Sequence, residues 1–389
     1  MKIHIWVPNY SSGTGGIQNL SRFVVRGLRD LFPEAHITVL AKNDTCYPEV
    51  SDIRVDSFYL AGTWSPRLRT VAFARQVIVQ MLRQQPDLIF IMHANFTSVW
   101  LLCRRFVSAK VFAVGAGIDV WNIRNRGLKR ALRKVHRLLA ISDFTRQKMA
   151  YQLGVVASSI GFLFPTFDSK NFKLNDKPRF LLKRYRLAAS TRVIFTLARL
   201  EKSEQYKGYD QLIRALPEIR KHFPEVRYIL GGSGSDRQRI EELVRKLDLG
   251  EIVILPGRIP EYEICSHYNF CDIFAMPSKG EGFGIVFLEA LACGKPVIAG
   301  NKDGSVDALL NGKLGVLVDP DNVAQIAEAI ITLLAKSTGQ GAQSKEERAE
   351  SAEQLRREVI EAYGYQRFKE RLAEVVKPLI AEQRGRGEG

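Results

Sequence analysis

The sequence predicts an α/β protein of two doubly wound, parallel-sheet domains, and three observations carry that prediction. Runs that are apolar on both faces (KIHIWVP, HITVLA, DLIFIMH, KVFAVG, RLLAIS, IGFLF) alternate with amphipathic helical stretches through the first 164 residues. Such strands belong to parallel sheets covered by helices on both sides. A second set (RVIFTLA, VRYILGG, EIVILPG, DIFAMPS, PVIAG, GVLVD) repeats the pattern over residues 192–319. Between the sets, PTFDSKNFKLNDKP (165–178) is polar and bounded by prolines, which places a domain boundary there. At 389 residues the chain is long enough to bury two cores of ordinary size.

Composition narrows the function classes. The longest apolar run near a strand, LIFIM (88–92), falls far short of the roughly 20 residues of a bilayer crossing, so no transmembrane helix is expected. The opening MKIHIWVPNYSSG reads as a first strand and lacks the long apolar core of a secretory signal. Five cysteines (Cys46, Cys103, Cys265, Cys271, Cys293) are scattered without a C-x-x-C pair or His clustering, so neither a zinc site nor a disulfide framework is expected, and a reducing cytoplasm fits. The tail AEQRGRGEG is expected to be disordered.

The net charge of +16 is unevenly placed: residues 1–178 hold 25 Lys and Arg against 11 Asp and Glu, leaving 32 of the 57 basic and 30 of the 41 acidic residues for the rest. The first domain therefore carries the excess and is expected to face an anionic partner. In WNIRNRGLKRALRKVHRLLA (121–140), Leu128, Ala131, Leu132, Val135, Leu138 and Leu139 fall on one helical stripe, with Arg126, Lys129, Arg130, Arg133, Lys134 and Arg137 filling the rest. That reads either as a basic helix packed on the sheet or as a contact for anionic lipid headgroups. Residues 62–85, with Trp64, Phe73 and further arginines, are compatible with an interfacial helix. Nucleic acid is not expected, since no RNA- or DNA-binding motif accompanies the charge.

In open α/β sheets ligands bind beyond the carboxyl ends of the strands. Two glycine clusters follow strands, SSGTGGIQNL (11–20) and GGSGSD (231–236), and neither has the G-x-G-x-x-G or P-loop pattern. Each is an ordinary tight turn or a place where phosphate meets backbone N–H groups. The stretch EGFGIVFLE (281–289) sets Glu281 on a loop and Glu289 inside a helix whose N-terminus, near Phe283, Gly284, Ile285 and Val286, is an anion site. Two carboxylates around a phosphate-sized anion suit a sugar nucleotide; two surface glutamates on a helix are the plain alternative. TLARLEKSEQYKGYDQL (196–212) presents Arg199 and Lys207 in a polar loop, either as two cations that hold a diphosphate and counter its developing charge or as a solvated basic loop. No Asp-x-Asp metal motif is visible.

Together these residues make the C-terminal half resemble the retaining glycosyltransferases of family 4, with the GT-B fold of two Rossmann-like domains and an interdomain cleft. The landmarks are ARLEKSEQYKG, GGSGSD, ILPGRIPEYEI, EGFGIVFLEALACGKPVIA and DGSVDALLNGKLGVLVDP, dense over residues 190–335. The resemblance implies that Arg199 and Lys207 contact the diphosphate, that Glu289 takes the ribose hydroxyls, and that backbone at Arg258 and Ile259 takes the base. Glu281 and the N–H groups from Phe283 to Val286 would face donor sugar and phosphate, and the Gly15-Gly16 pair resembles the family's N-domain loop. It further implies an acceptor-binding domain over 1–178, a nucleotide-sugar domain over 179–365, and a helix in 366–389 crossing back to the first domain. The expected reaction is retaining, metal-independent transfer of a hexose, UDP-glucose first and GDP-sugars second, to a polysaccharide or lipid-linked acceptor. No cofactor would be permanently bound, and the enzyme would be cytoplasmic, peripheral on the inner face of the plasma membrane.

Two departures stand out. GAGIDVW (115–121) keeps Gly117, Asp119 and Trp121 but has Ala116 where the family commonly carries histidine. This reads as natural divergence or an introduced replacement, leaving either an enzyme or a catalytically weakened sugar-nucleotide-binding protein, with His93 as a substitute or as a structural residue. In DGSVD, Ser305 and Asp307 replace the more usual Gly and Glu.

Overall fold

The computed structural model describes residues 1–11, 15–47, 53–337 and 345–385. The chain divides into two compact units, Met1–Thr166 with Tyr365–Gly389, and Phe167–Gly364. The segment 165–178 thus belongs to the second unit from Phe167 onward.

In the first unit β1 (Lys2–Val7), β2 (His36–Ala41), β3 (Ser57–Leu60), β4 (Leu88–Ile91), β5 (Lys110–Gly115), β6 (Arg137–Ala140) and β7 (Gly161–Phe162) form one sheet in the order β3-β2-β1-β4-β5-β6-β7. Every pairing is parallel. After their first residue β1 and β2 are buried throughout, as strands covered on both faces must be. The helices are α1 (Gly16–Leu31), α2 (Arg69–Gln84), α3 (Thr97–Cys103), α4 (Ile118–Trp121), α5 (Arg126–Leu132) and α6 (Asp143–Leu153).

In the second unit α7 (Arg179–Tyr185), β8 (Val193–Leu197), α8 (Tyr209–His222), β9 (Arg227–Gly231), α9 (Arg237–Lys246), β10 (Val253–Gly257), α10 (Glu261–Phe270), β11 (Ile273–Met276), α11 (Ile285–Ala292), β12 (Val297–Gly300), α12 (Ser305–Ala308), β13 (Val316–Val318), α13 (Val323–Ser337) and α14 (Lys345–Tyr363) follow in turn. Its sheet, also parallel throughout, runs β10-β9-β8-β11-β12-β13. The last helix, α15 (Tyr365–Gly385), belongs to the first unit and packs on α1: Phe23 meets Tyr365 and Phe368, and the Tyr365 hydroxyl donates to Asp30 at 2.7 Å.

Three expectations are corrected. Residues 121–140 are not one basic helix: α5 ends at Leu132, and Leu138 and Leu139 enter β6 between β5 and β7, so a stripe that fits a helix is satisfied by a helix and then a strand. Phe73 is not interfacial but lies in the first unit's core with Val77 and Met81. Of the tail expected to be disordered, residues 381–385 continue α15, and 386–389 lie outside the described residues.

One backbone constraint shapes the second unit. Gly208, between the loop after β8 and α8, has φ +81°, and a Cβ there would stand 2.0 Å from the Pro277 carbonyl oxygen at the end of β11. Only glycine permits both the conformation and the approach. Gly208→Ala is expected to cost about 2–4 kcal/mol, read as a lowered urea midpoint. Gly250→Ala, where a Cβ meets nothing within 4 Å, is expected to stay within about 0.5 kcal/mol of the parent. Equal midpoints would contradict this account.

Candidate functional site

β8 and β11 are neighbours in the second sheet, yet β9 continues on the far side of β8 and β12 on the far side of β11. Loops leaving such a strand pair diverge and open a crevice at their carboxyl ends, the ordinary ligand position of this architecture. The loop after β8 carries Arg199 and Lys207; the loop after β11 carries Glu281.

These loops are joined by charge. Lys207 Nζ donates to Glu281 Oε2, and both side chains are largely buried, at 15% and 16% exposure. Burial, the largest single influence, would lower the Lys207 pKa, but the Glu281 carboxylate together with Tyr206 and Glu204 holds the ammonium above the ordinary lysine value. The Glu281 backbone is fixed separately: its N–H donates to Asp303 Oδ2 at 2.7 Å, and its carbonyl accepts the Gly304 N–H at 2.9 Å. Asp303 is itself buried and accepts from Ser278 Oγ at 2.8 Å and from the Ser305 N–H at 2.9 Å. Burial raises its pKa against the pull of those hydrogen bonds. Sequence reasoning missed Asp303, although the Asp-Gly-Ser spacing after a strand is an Asx-turn signal. Ser305, from the departure at DGSVD, is buried in this network, while the carbonyl of Asp307, from the same departure, accepts the Tyr363 hydroxyl.

The other expected residues take separate positions. Arg199 is mostly exposed and pairs with Glu204, whose remaining oxygen is buried without a hydrogen-bond partner. GGSGSD lies along the loop after β8, with the Ala198 N–H donating to the Gly231 carbonyl and the Leu200 N–H to the Ser233 carbonyl, both at 3.0 Å. After β10, Arg258 is exposed and Ile259 buried. Gly284 enters α11 at φ +93°, with no side-chain cap, no acidic residue in the first turn, and Ile285 and Val286 half-buried; the Phe283 ring packs on Tyr363 at 5.3 Å. Glu289 accepts the Tyr268 hydroxyl at 2.8 Å, and burial pushes its carboxyl up to about 7 against that bond.

In the first unit, Gly16 is the first residue of α1, behind Gly15, and that helix start also lacks a side-chain cap; residues 12–14 of the glycine cluster lie outside the described residues. Ala116 follows β5, and its N–H donates to Asp119 Oδ1 at 3.1 Å, while the Ala94 N–H donates to Oδ2 at 3.2 Å. One half-buried carboxyl, pushed up to about 6 by desolvation against these bonds, therefore ties the ends of β4 and β5 together, with His93 next to Ala94. His93 Nδ1 accepts the Asn95 N–H, and Trp121 Nε1 donates to Thr145 Oγ1. Among the described residues no group of three or more His, Cys, Asp and Glu is placed to hold a metal ion, and no helix is long and apolar enough to cross a membrane.

The Glu289 environment sets a pH dependence. The folded chain binds a proton there that the unfolded chain releases near the ordinary glutamate value, so stability falls between about pH 4.5 and 7 and is flat beyond. Glu289→Gln is expected to gain stability relative to the parent across that window, by up to about 3 kcal/mol, in urea titrations at pH 5 and pH 8. A difference independent of pH would place Glu289 in water instead.

Residues 179–372 match the family described as glycosyl transferases group 1. The chain is 32% identical over 245 residues to the GDP-mannose-dependent alpha-(1-6)-phosphatidylinositol monomannoside mannosyltransferase of Mycolicibacterium smegmatis, covering 60% of this chain and 63% of that protein. With the protein of the same name from Mycobacterium tuberculosis the identity is 35% over 202 residues, 50% of this chain and 51% of the relative. The chain thus matches between half and two thirds of the length of these relatives. Among solved structures, the sucrose-phosphate synthase from Thermosynechococcus elongatus superposes with a TM-score of 0.78 at 20% identity, over 98% of this chain and 100% of that one. With two parallel sheets of matching topology and a family match across the second, the chain belongs, through residues 179–372, to the glycosyl transferases group 1 family on a GT-B fold.

Proposed function

We propose that this chain moves a hexose from a nucleotide diphosphate sugar to a glycan or lipid-linked acceptor, with retention of anomeric configuration and without a metal ion. The observation that carries the reading is the largely buried Lys207–Glu281 pair at the β8–β11 crevice, with Arg199 on the Lys207 loop. A diphosphate arriving there draws Lys207 and Arg199 from their carboxylate partners, and the two cations supply the charge that the departing phosphate needs. The uncapped N-terminus of α11 faces the same anion, and Glu281 is released toward the sugar. Glu289 accepts from ribose hydroxyls, and backbone at Arg258 and Ile259 meets the base. In the transfer the bond from anomeric carbon to phosphate oxygen breaks, the acceptor oxygen bonds that carbon on the same face, and the acceptor proton passes to a phosphate oxygen.

The names of the two mannosyltransferase relatives favour GDP-mannose as the first donor to try, ahead of the UDP-glucose expected from the sequence. The first unit is assigned the acceptor and an anionic membrane surface. Arg126, Arg130, Arg133, Lys134 and Arg137 are exposed, and Trp64, Leu102 and Phe106 are exposed apolar side chains of the same unit. The inner face of the plasma membrane is the proposed location.

Ala116 favours a second reading, a sugar-nucleotide-binding protein of weakened turnover. Calorimetric titration with GDP, UDP and ADP is expected to give micromolar affinity for one of them. Lys207→Ala or Arg199→Ala should weaken it at least tenfold, the loss of a charged hydrogen bond of about 1.5–3 kcal/mol. Unchanged affinity in both variants sinks the proposal. Turnover of the bound donor sugar separates the two readings: a large gain in Ala116→His shows chemistry intact but for that side chain, and no gain favours binding alone.

A further inference from the structure

Cys265 on α10 and Cys293 at the end of α11, unremarkable in the sequence, lie with their Sγ atoms 3.9 Å apart. Cys293 is buried, and Cys265 is half-buried, with the Asn269 amide nitrogen 3.4 Å from its sulfur. Each is about one helical turn from a partner in another contact. Tyr268, three residues after Cys265, donates to Glu289, and Glu289, four residues before Cys293, accepts the Cys293 N–H on its carbonyl at 3.2 Å. Arg356 pins the neighbourhood by donating to the Ala292 carbonyl at 2.6 Å.

We propose that Cys265 and Cys293 form a reversible redox pair whose disulfide, made in response to a peroxide, shifts α10 against α11 and disturbs the seat of Glu289. The Cys265 thiolate attacks one oxygen of hydrogen peroxide; the O–O bond breaks, hydroxide leaves and takes a proton to become water, and a sulfenic acid remains. Cys293 then loses its proton and attacks that sulfur, the S–S bond forms and a second water leaves. Two thiols give up two electrons and one peroxide is reduced to two waters. Contact with the Cys293 thiol holds Cys265 down to about 6, against burial and with help from Lys173, Asn269 and the Arg356 charge. The same contact, and burial after it, push Cys293 up, and Cys265 is the half-buried thiol of the two, so Cys265 attacks first and Cys293 resolves. Closing to about 2.05 Å draws the sulfurs together by nearly 2 Å, about one helical turn from the Tyr268–Glu289 hydrogen bond. The bond stands independently of the role given to Glu289; its effect on nucleotide affinity rests on that role.

The test uses the full chain with Cys46→Ser, which removes the exposed thiol. Hydrogen peroxide is expected to abolish two of the four remaining thiols, yield a Cys265–Cys293 cross-linked peptide on non-reducing mapping, and lower GDP or UDP affinity about tenfold, all reversed by dithiothreitol. Adding Cys265→Ser should leave affinity unchanged and insensitive to peroxide. Oxidation that stops at Cys265 sulfinate, or a cross-link to another cysteine, overturns the pair. A 265–293 cross-link with unchanged affinity, in a chain that binds nucleotide when reduced, overturns the coupling to Glu289. A reduced chain that binds no nucleotide counts against the proposed function, while the cross-link alone then decides the redox pair.

Discussion

The ion pair between Lys207 and Glu281 is the constraint on which the second unit's crevice depends. Burying two charges is expensive, and a well-packed apolar pair would often serve stability as well or better. The pair is nevertheless held from three sides: by the close approach of Gly208 to Pro277, by the Asp303 carboxyl under the Glu281 backbone, and by the parallel register of β8 and β11. A site organised this way keeps a cation and a carboxylate ready, each satisfied by the other until an anion competes. That is the arrangement expected where polar groups are fixed before the ligand arrives.

A second buried carboxyl follows a different logic. Glu289 lies on a helix rather than a loop and has an uncharged partner in Tyr268, so burial decides its ionisation, whereas charge decides that of Lys207. Near neutral pH Glu289 is poised between a form that donates and a form that only accepts, and its setting is controlled by the fit of α10 against α11. The cysteine contact lies on those same two helices, which makes the α10–α11 contact a natural place for chemistry outside the crevice to be felt.

The twelve strands named from apolar runs are all present; most are buried on both faces, while β7, β10 and β13 are partly exposed and were legible from their apolar residues alone. β3 was not legible, since SFYL is short and half-buried along its whole length at the sheet edge. The stripe from Leu128 to Leu139 misled because a short apolar run fits either period, and neighbouring strands, not local propensity, decided its second half. At the site, Glu281 on a loop and Glu289 within a helix were legible from the glycines before IVFLEALA. What the sequence could not carry was pairing: that Lys207 reaches Glu281 across 74 positions, that Tyr268 caps Glu289, and that Cys265 finds Cys293. Those contacts are set by strand order, which a linear pattern does not encode. Asp303 falls between, visible as a turn residue but not as a brace.

The most direct test of the central claim is hydrogen exchange of the second unit's amides with and without saturating GDP or UDP. The account predicts new protection concentrated in the loop after β8, residues 199–208, and at the entry to α11, residues 281–287, with the strands beneath unchanged. Nucleotide bound with protection elsewhere, leaving both loops as exposed as before, would contradict it.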